Sequence, residues 1–103
     1  MSKKFEELEL AVTEWANKRD LLHEHNSSWQ LHKTVSELGE LADAYITADD
    51  AAICDELGDV FVCLIIFASQ LGLNPMECLS AAYDKISKRA GTTVNGVFIK
   101  DGE

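Results

Sequence analysis

A chain of 103 residues with 47% hydrophobic content is long enough for one domain, residues 1–103, with a real but small core. Its formal net charge of −9 argues against phosphate-tracking contact with a nucleic-acid polymer and against attraction to an anionic membrane surface. Cys54, Cys63 and Cys78 form neither a C-x-x-C pair nor an even set, and MSKKFEELEL lacks an apolar signal-peptide core. A reduced, cytoplasmic protein is expected, with its cysteines acting as buried small hydrophobes. The longest apolar run, Val60 to Ala68, falls far short of the ~20 residues a membrane span requires.

The first segment, from about Lys4 to His25, carries Phe5, Leu8, Val12, Trp15 and Ala16 at mixed spacings of three and four, which predicts a helix. Asn26-Ser27-Ser28 breaks it. Ser27 with Gln30 has the form of a capping box for a second helix running to about Ile46. On that helix Leu31, Val35, Leu38, Ala42 and Tyr45 form an apolar stripe, with Glu37 and Glu40 expected beside or behind it. Thr47 to Asp50 supplies a short turn with acidic capping residues.

A third helix is predicted over about Ala51 to Leu71, with Ile53, Leu57, Val60, Leu64 and Phe67 as its regular stripe. From Val60 onward Val62, Cys63, Ile65 and Ile66 make it apolar nearly all round, more than so short a chain can cover alone, so a subunit interface is expected. Gly72 suits a helix end, and Asn74-Pro75 starts a fourth helix reaching Arg89, its buried side Met76, Leu79, Ala82 or Tyr83, and Ile86. The tail, with its Asn95-Gly96 turn signal, predicts a short extended arm or small hairpin.

The distribution of charge says more than its total. No Lys or Arg occurs from Thr34 through Asp84, while that window holds Glu37, Glu40, Asp43, Asp49, Asp50, Asp55, Glu56, Asp59, Glu77 and Asp84. Glu37 and Glu40 are three apart, as are Glu56 and Asp59, so each pair shares a helix face, and a hairpin between the helices could gather all four. Two such pairs taken alone are the ordinary product of a solvated face. Here they lack the i+4 cations that surface helices carry, and Glu56 and Asp59 directly precede the most apolar run in the chain, where a desolvated carboxylate needs a cation. No E-x-x-H occurs, which disfavours a helical di-iron centre. An all-oxygen magnesium site, with manganese as the alternative ion, is the expectation.

Such a site commonly works with substrate phosphates. Lys85, Lys88 and Arg89, with Lys33 one turn before Glu37, could supply matching charge, although the first three equally complement a helix dipole. Trp29, beside the break between the first two helices, is a candidate for stacking on a base, ahead of Trp15; each also suits a core anchor. His32 is a further possible base contact. His23, His25 and His32 do not make a zinc ligand set.

The segments Lys33-Thr-Val-Ser-Glu37-Leu-Gly-Glu40-Leu and Asp55-Glu56-Leu-Gly-Asp59-Val resemble the E-x-x-E…E-x-x-D signature of the MazG-like, all-α nucleoside triphosphate pyrophosphohydrolases. The similarity extends to Trp15–Leu22, to the order of the helices and to Lys85-Ile-Ser-Lys88-Arg89-Ala-Gly91…Val94-Asn95-Gly96. It implies an all-α bundle of four to five helices, completed by oligomerisation into a homodimer or homotetramer, with a short C-terminal arm. It also implies magnesium-dependent hydrolysis of a nucleoside triphosphate to the monophosphate and pyrophosphate. Carried over, Glu37, Glu40, Glu56 and Asp59 are the expected metal ligands and catalytic groups. Lys33, Lys85, Lys88, Arg89, Asn95 and Trp29 are the expected substrate contacts. Ser36 stands where many members carry an additional acid, which bears on the number of metal ions. Two rival classes fit the same features: a helical oligomer that binds metal or nucleotide without turnover, and an acidic adaptor docking a partner through its apolar third helix.

Overall fold

The computed structural model describes residues 4–102, so the two ends of the expected 1–103 domain lie outside it. Four helices follow in order, α1 (Phe5–Lys18), α2 (Ser27–Ile46), α3 (Asp50–Gln70) and α4 (Pro75–Ile86), and then a two-stranded hairpin, β1 (Gly91–Val94) and β2 (Val97–Lys100). The all-α expectation holds, with the C-terminal arm formed as an antiparallel pair in which Val94 faces Val97 and Gly91 faces Lys100. Asn95 and Gly96 turn it with φ of 51° and 79°, the left-handed pair that a two-residue hairpin needs. No helix among the described residues is long and apolar enough to cross a membrane.

Helix α3 is the centre of the fold, packed by α1, α2 and α4. The α2–α3 connection is a tight turn of Thr47, Ala48 and Asp49. Asp49 N–H donates to the Ala44 carbonyl, and the Asp49 carboxylate accepts from the Ala52 N–H at 3.1 Å, capping α3 as expected. Ala48 holds φ of 53°, a left-handed conformation in which a β-carbon is strained. This turn makes α2 and α3 an antiparallel hairpin.

Several boundaries differ from the sequence expectation. α1 ends at Lys18 rather than near His25, because Asp20 adopts φ of 58° and the Arg19 and Leu21 N–H groups fold back onto the Ala16 carbonyl. A short 3-10 turn, Glu24–Asn26, leads into α2. The Ser27–Gln30 capping box does not form: Ser27 lies inside the helix and Gln30 is turned into the core. α4 is capped at its start by Asn74, whose carboxamide oxygen accepts from the Met76 and Glu77 N–H groups, but it stops at Ile86, short of Arg89.

The apolar stripes are also placed differently. The face of α2 toward α3 carries buried Gln30, Thr34 and Ala44 with half-buried Glu37 and Leu41, whereas Leu31, Val35, Leu38, Ala42 and Tyr45 face outward. The packed face is therefore rotated by one residue, roughly 100°, from the periodic stripe. On α3 the buried set is Val60, Cys63, Ile65, Ile66 and Gln70, while Leu57 and Leu64 of the predicted stripe are exposed. Leu79, Tyr83 and Ile86 of α4 are exposed as well. Of the cysteines, only Cys63 is buried, and burial pushes its thiol up; Cys54 and Cys78 are on the surface.

Two substitutions in the α2–α3 turn are expected to act in opposite directions. Asp49→Ala removes the cap and lowers stability by about 1 kcal/mol. Ala48→Gly relieves the left-handed strain and raises it by up to about 1 kcal/mol. Urea unfolding followed by circular dichroism at one protein concentration measures both.

Candidate metal centre

The acidic residues of α2 meet those of α3 midway along the hairpin. Glu37, Glu56 and Asp59 each offer a carboxylate oxygen within 4.8 Å of the other two, the tight group that a single cation requires. Glu40, one turn along from Glu37, lies beside the trio and outside it, close enough to hydrogen-bond with both Glu37 and Glu56. The structure thus brings together all four carboxylates singled out by spacing, three in a cluster and one at its edge.

The electrostatics bear on whether this group could hold a cation. Burial, the hydrogen bond shared with Glu37 and the nearby charges of Glu40 and Glu37 push Glu56 up to about 7. Glu37 is raised too, first by burial and then by Glu40. The Oε2 atoms of Glu37 and Glu56 are buried without a hydrogen-bond partner, so each of these two residues carries an unsatisfied acceptor. The described ion pairs, His23–Asp20 and Lys88–Asp84, involve none of the four carboxylates. A hard divalent cation fits this donor set: it takes oxygen ligands, satisfies the two orphaned acceptors and removes the mutual repulsion.

The remaining expected site residues divide into two groups. Trp29 and Lys33 lie on α2 with the Lys33 ammonium 5.6 Å from the Trp29 ring centre, and together with His32 and Ser36 they line a surface depression of about 410 Å³. Trp29, Lys33, Ser36 and Glu40 follow one another at four, three and four residues, so the depression and the acid cluster share one side of α2. Ser36, first noted as the place of an absent acid, is thereby a lining residue. His32 Nδ1 lies 2.7 Å from the Ser28 carbonyl. Lys85, Lys88 and Arg89 belong to the other group. They lie at and beyond the end of α4, where Lys88 pairs with Asp84 at 3.4 Å and the Arg89 N–H bonds the Ile86 carbonyl. None of the three is paired with the acid cluster, and Asn95 is accounted for by the hairpin turn.

Sequence reasoning did not anticipate Gln30 and Thr34, the buried polar residues that precede Glu37 on the packed face. Gln30 Nε2 donates to the Cys63 carbonyl of α3 at 3.3 Å. The spacing of Gln30, Thr34 and Glu37 held the signal, since the three share a helix face, but it competed with a cleaner apolar stripe one residue away.

A helical hairpin that presses a carboxylate cluster against an apolar body defines the class: an all-α protein with a site able to hold a cation. A family model of the MazG nucleotide pyrophosphohydrolase domain matches residues 25–94, more than half of the chain, and the chain belongs to that family. The match takes in all of α2, α3 and α4 and extends through β1. No curated protein and no solved structure matches the chain. Membership supports a hydrolase of the pyrophosphohydrolase type with a nucleotide substrate.

The charge state of Glu56 predicts how the metal-free protein responds to pH. Its folded pKa lies above the ordinary value of 4.5, so the folded state binds the proton more tightly and stability falls as pH rises from about 4.5 through about 7. Thermal unfolding in chelator is expected to show that fall, Glu56→Gln to flatten it, and added magnesium to oppose it at the upper end.

Proposed function

We propose that the chain is a magnesium-dependent nucleoside triphosphate pyrophosphohydrolase, releasing pyrophosphate and the nucleoside monophosphate. The observation that carries this reading is the cluster of Glu37, Glu56 and Asp59, with two orphaned oxygens, on the same hairpin as the Trp29–Lys33 depression. Family membership supplies the reaction type, and manganese is the expected substitute ion.

Glu37, Glu56 and Asp59 would hold the ion, which when bound would lower the pKa of water and neutralise charge on the phosphoryl oxygens. Glu40, at the edge of the trio and outside the ligand set, is the carboxylate assigned to accept a proton from the attacking water. Water oxygen bonds to the α-phosphorus, the bond from that phosphorus to the bridging oxygen breaks, and pyrophosphate leaves. Lys33 offers positive charge to the polyphosphate one turn from Glu37, and Trp29 a face for the base.

The reading includes self-association. The chain exposes 7881 Å², about 2,000 Å² more than a folded monomer of 11.4 kDa is expected to show. Its radius of gyration of 16.4 Å exceeds the roughly 13 Å of a compact chain of this length. The surplus is apolar: Leu31, Val35 and Leu38 on α2, Leu79 and Tyr83 on α4, and a groove of about 340 Å³ between α3 and α4 floored by Phe61, Leu64 and Leu79. Hiding about 2,000 Å² on each of two copies is within the range of obligate dimers. In such an assembly a second copy would hold α4, and with it set the position of Lys85, Lys88 and Arg89 relative to a site.

Pyrophosphate release from common and damaged nucleoside triphosphates, with and without magnesium, tests the activity; no release from any of them refutes it. Glu56→Gln is expected to cut turnover by more than about a hundredfold, since losing even an outer partner of a metal ligand costs about 10–100-fold. Glu40→Gln is expected to cut kcat comparably while magnesium affinity stays near that of the parent, which separates the proton acceptor from the ligands. Leu31→Asp combined with Leu38→Asp should yield monomers by light scattering if the outward stripe of α2 lies between copies.

A further inference from the structure

The α2–α3 hairpin is fastened at one end by the Thr47–Asp49 turn, and the acid cluster sits partway toward its open end. Mutual repulsion among Glu37, Glu40, Glu56 and Asp59 works to splay the helices there, and no Lys or Arg lies between Thr34 and Asp84 to offset it. Beyond the cluster, Gln30 crosses to α3. Gln30 precedes Glu37 by seven residues and Cys63 follows Glu56 by seven, so the Gln30–Cys63 contact lies in register with the Glu37–Glu56 contact, two turns or about 10.5 Å further along the hairpin. Apart from the carboxylate contacts, it is the side-chain hydrogen bond that joins α2 to α3 among the described residues. Gln30 is 6% exposed, a polar side chain where a leucine would bury more apolar area. A buried polar group at a helix–helix seam has its best-attested use in setting register, because a shifted seam leaves its hydrogen bond unmade.

We propose that Gln30 is a positioning residue that closes the open end of the hairpin and thereby holds Glu37 against Glu56 and Asp59 at cation-binding distance. The proposal rests on the metal reading of that trio. A slip of one helical turn moves Glu37 by about 5.4 Å, more than the 4.8 Å span of the cluster, so the site depends on the register being kept. Thr34 provides the contrast. It is equally buried on the same face, but its hydroxyl donates to the Gln30 carbonyl within α2 and ties nothing to α3.

The test is titration of the full chain with Mn²⁺ alone, free ion being read by electron paramagnetic resonance, with folding and size checked by circular dichroism and light scattering. Gln30→Met keeps the volume without the donor, and Gln30→Asn keeps the amide but draws it back by one methylene. Both are expected to weaken Mn²⁺ binding by about tenfold or more, with Thr34→Val within about twofold of the parent. If Gln30→Met does not fold, Gln30→Asn decides. A folded Gln30 variant that binds Mn²⁺ within about twofold of the parent overturns the clamp and leaves the metal reading standing, as does an equal loss in Thr34→Val. A parent chain that binds no Mn²⁺ overturns both.

Discussion

Four carboxylates held against one another on a two-helix seam are the constraint on which this structure turns. The packing of α3 into the body fixes Glu56 and Asp59, and the tight turn at Thr47–Asp49 brings α2 back so that Glu37 and Glu40 meet them. The seam is strained electrostatically rather than sterically. Burial raises Glu56 to about 7 and leaves acceptor atoms on Glu37 and Glu56 without donors, so the unliganded cluster is a stored demand for positive charge. A cation would meet that demand at low cost because the carboxylates are already gathered, which is the usual logic of a preorganised site.

The body of the protein is arranged to permit this. α3 is apolar nearly all round beyond Val60 and packs with α1, α2 and α4, which anchors the helix that carries Glu56 and Asp59. The side of α2 turned to α3 is polar over two turns, with Gln30, Thr34 and Glu37 where a bundle would ordinarily place leucines. Its own apolar stripe is turned outward and left uncovered. The helix therefore has two distinct sides, a polar one packed on α3 with the acid cluster and an apolar one left exposed.

The two sides also order the chemistry along α2. Trp29, Lys33, Ser36 and Glu40 succeed one another along a single side, so an aromatic face, a cation, a hydroxyl and a carboxylate follow in turn, the order in which the proposed function uses them. That spacing belongs to helical geometry and needs no loop to create it. The more apolar depressions between α1 and α3 have no such series of polar groups, and their lining by Leu8, Val12 and Val62 reads as uncovered packing surface.

Much of this was legible before any coordinates. Helix order, the capped turn at Asp49, the Asn74-Pro75 start, the Asn95-Gly96 hairpin and the four carboxylates are local features, because caps, turns and i,i+3 spacing depend on residues a few positions apart. The family signature is local in the same sense, lying in two short segments. The facing of α2 was different. One face was expected, and the periodicity of Leu31, Val35, Leu38, Ala42 and Tyr45 could announce an apolar surface without saying what it would pack against. Nor could spacing reveal that Gln30 caps no helix and instead bonds the Cys63 carbonyl, thirty-three positions away. Sequence alone determined which residues could form the site, since residue type and helical period settle that. The tertiary structure decided which of them meet and at what electrostatic cost, because burial and repulsion exist only once α2 lies against α3.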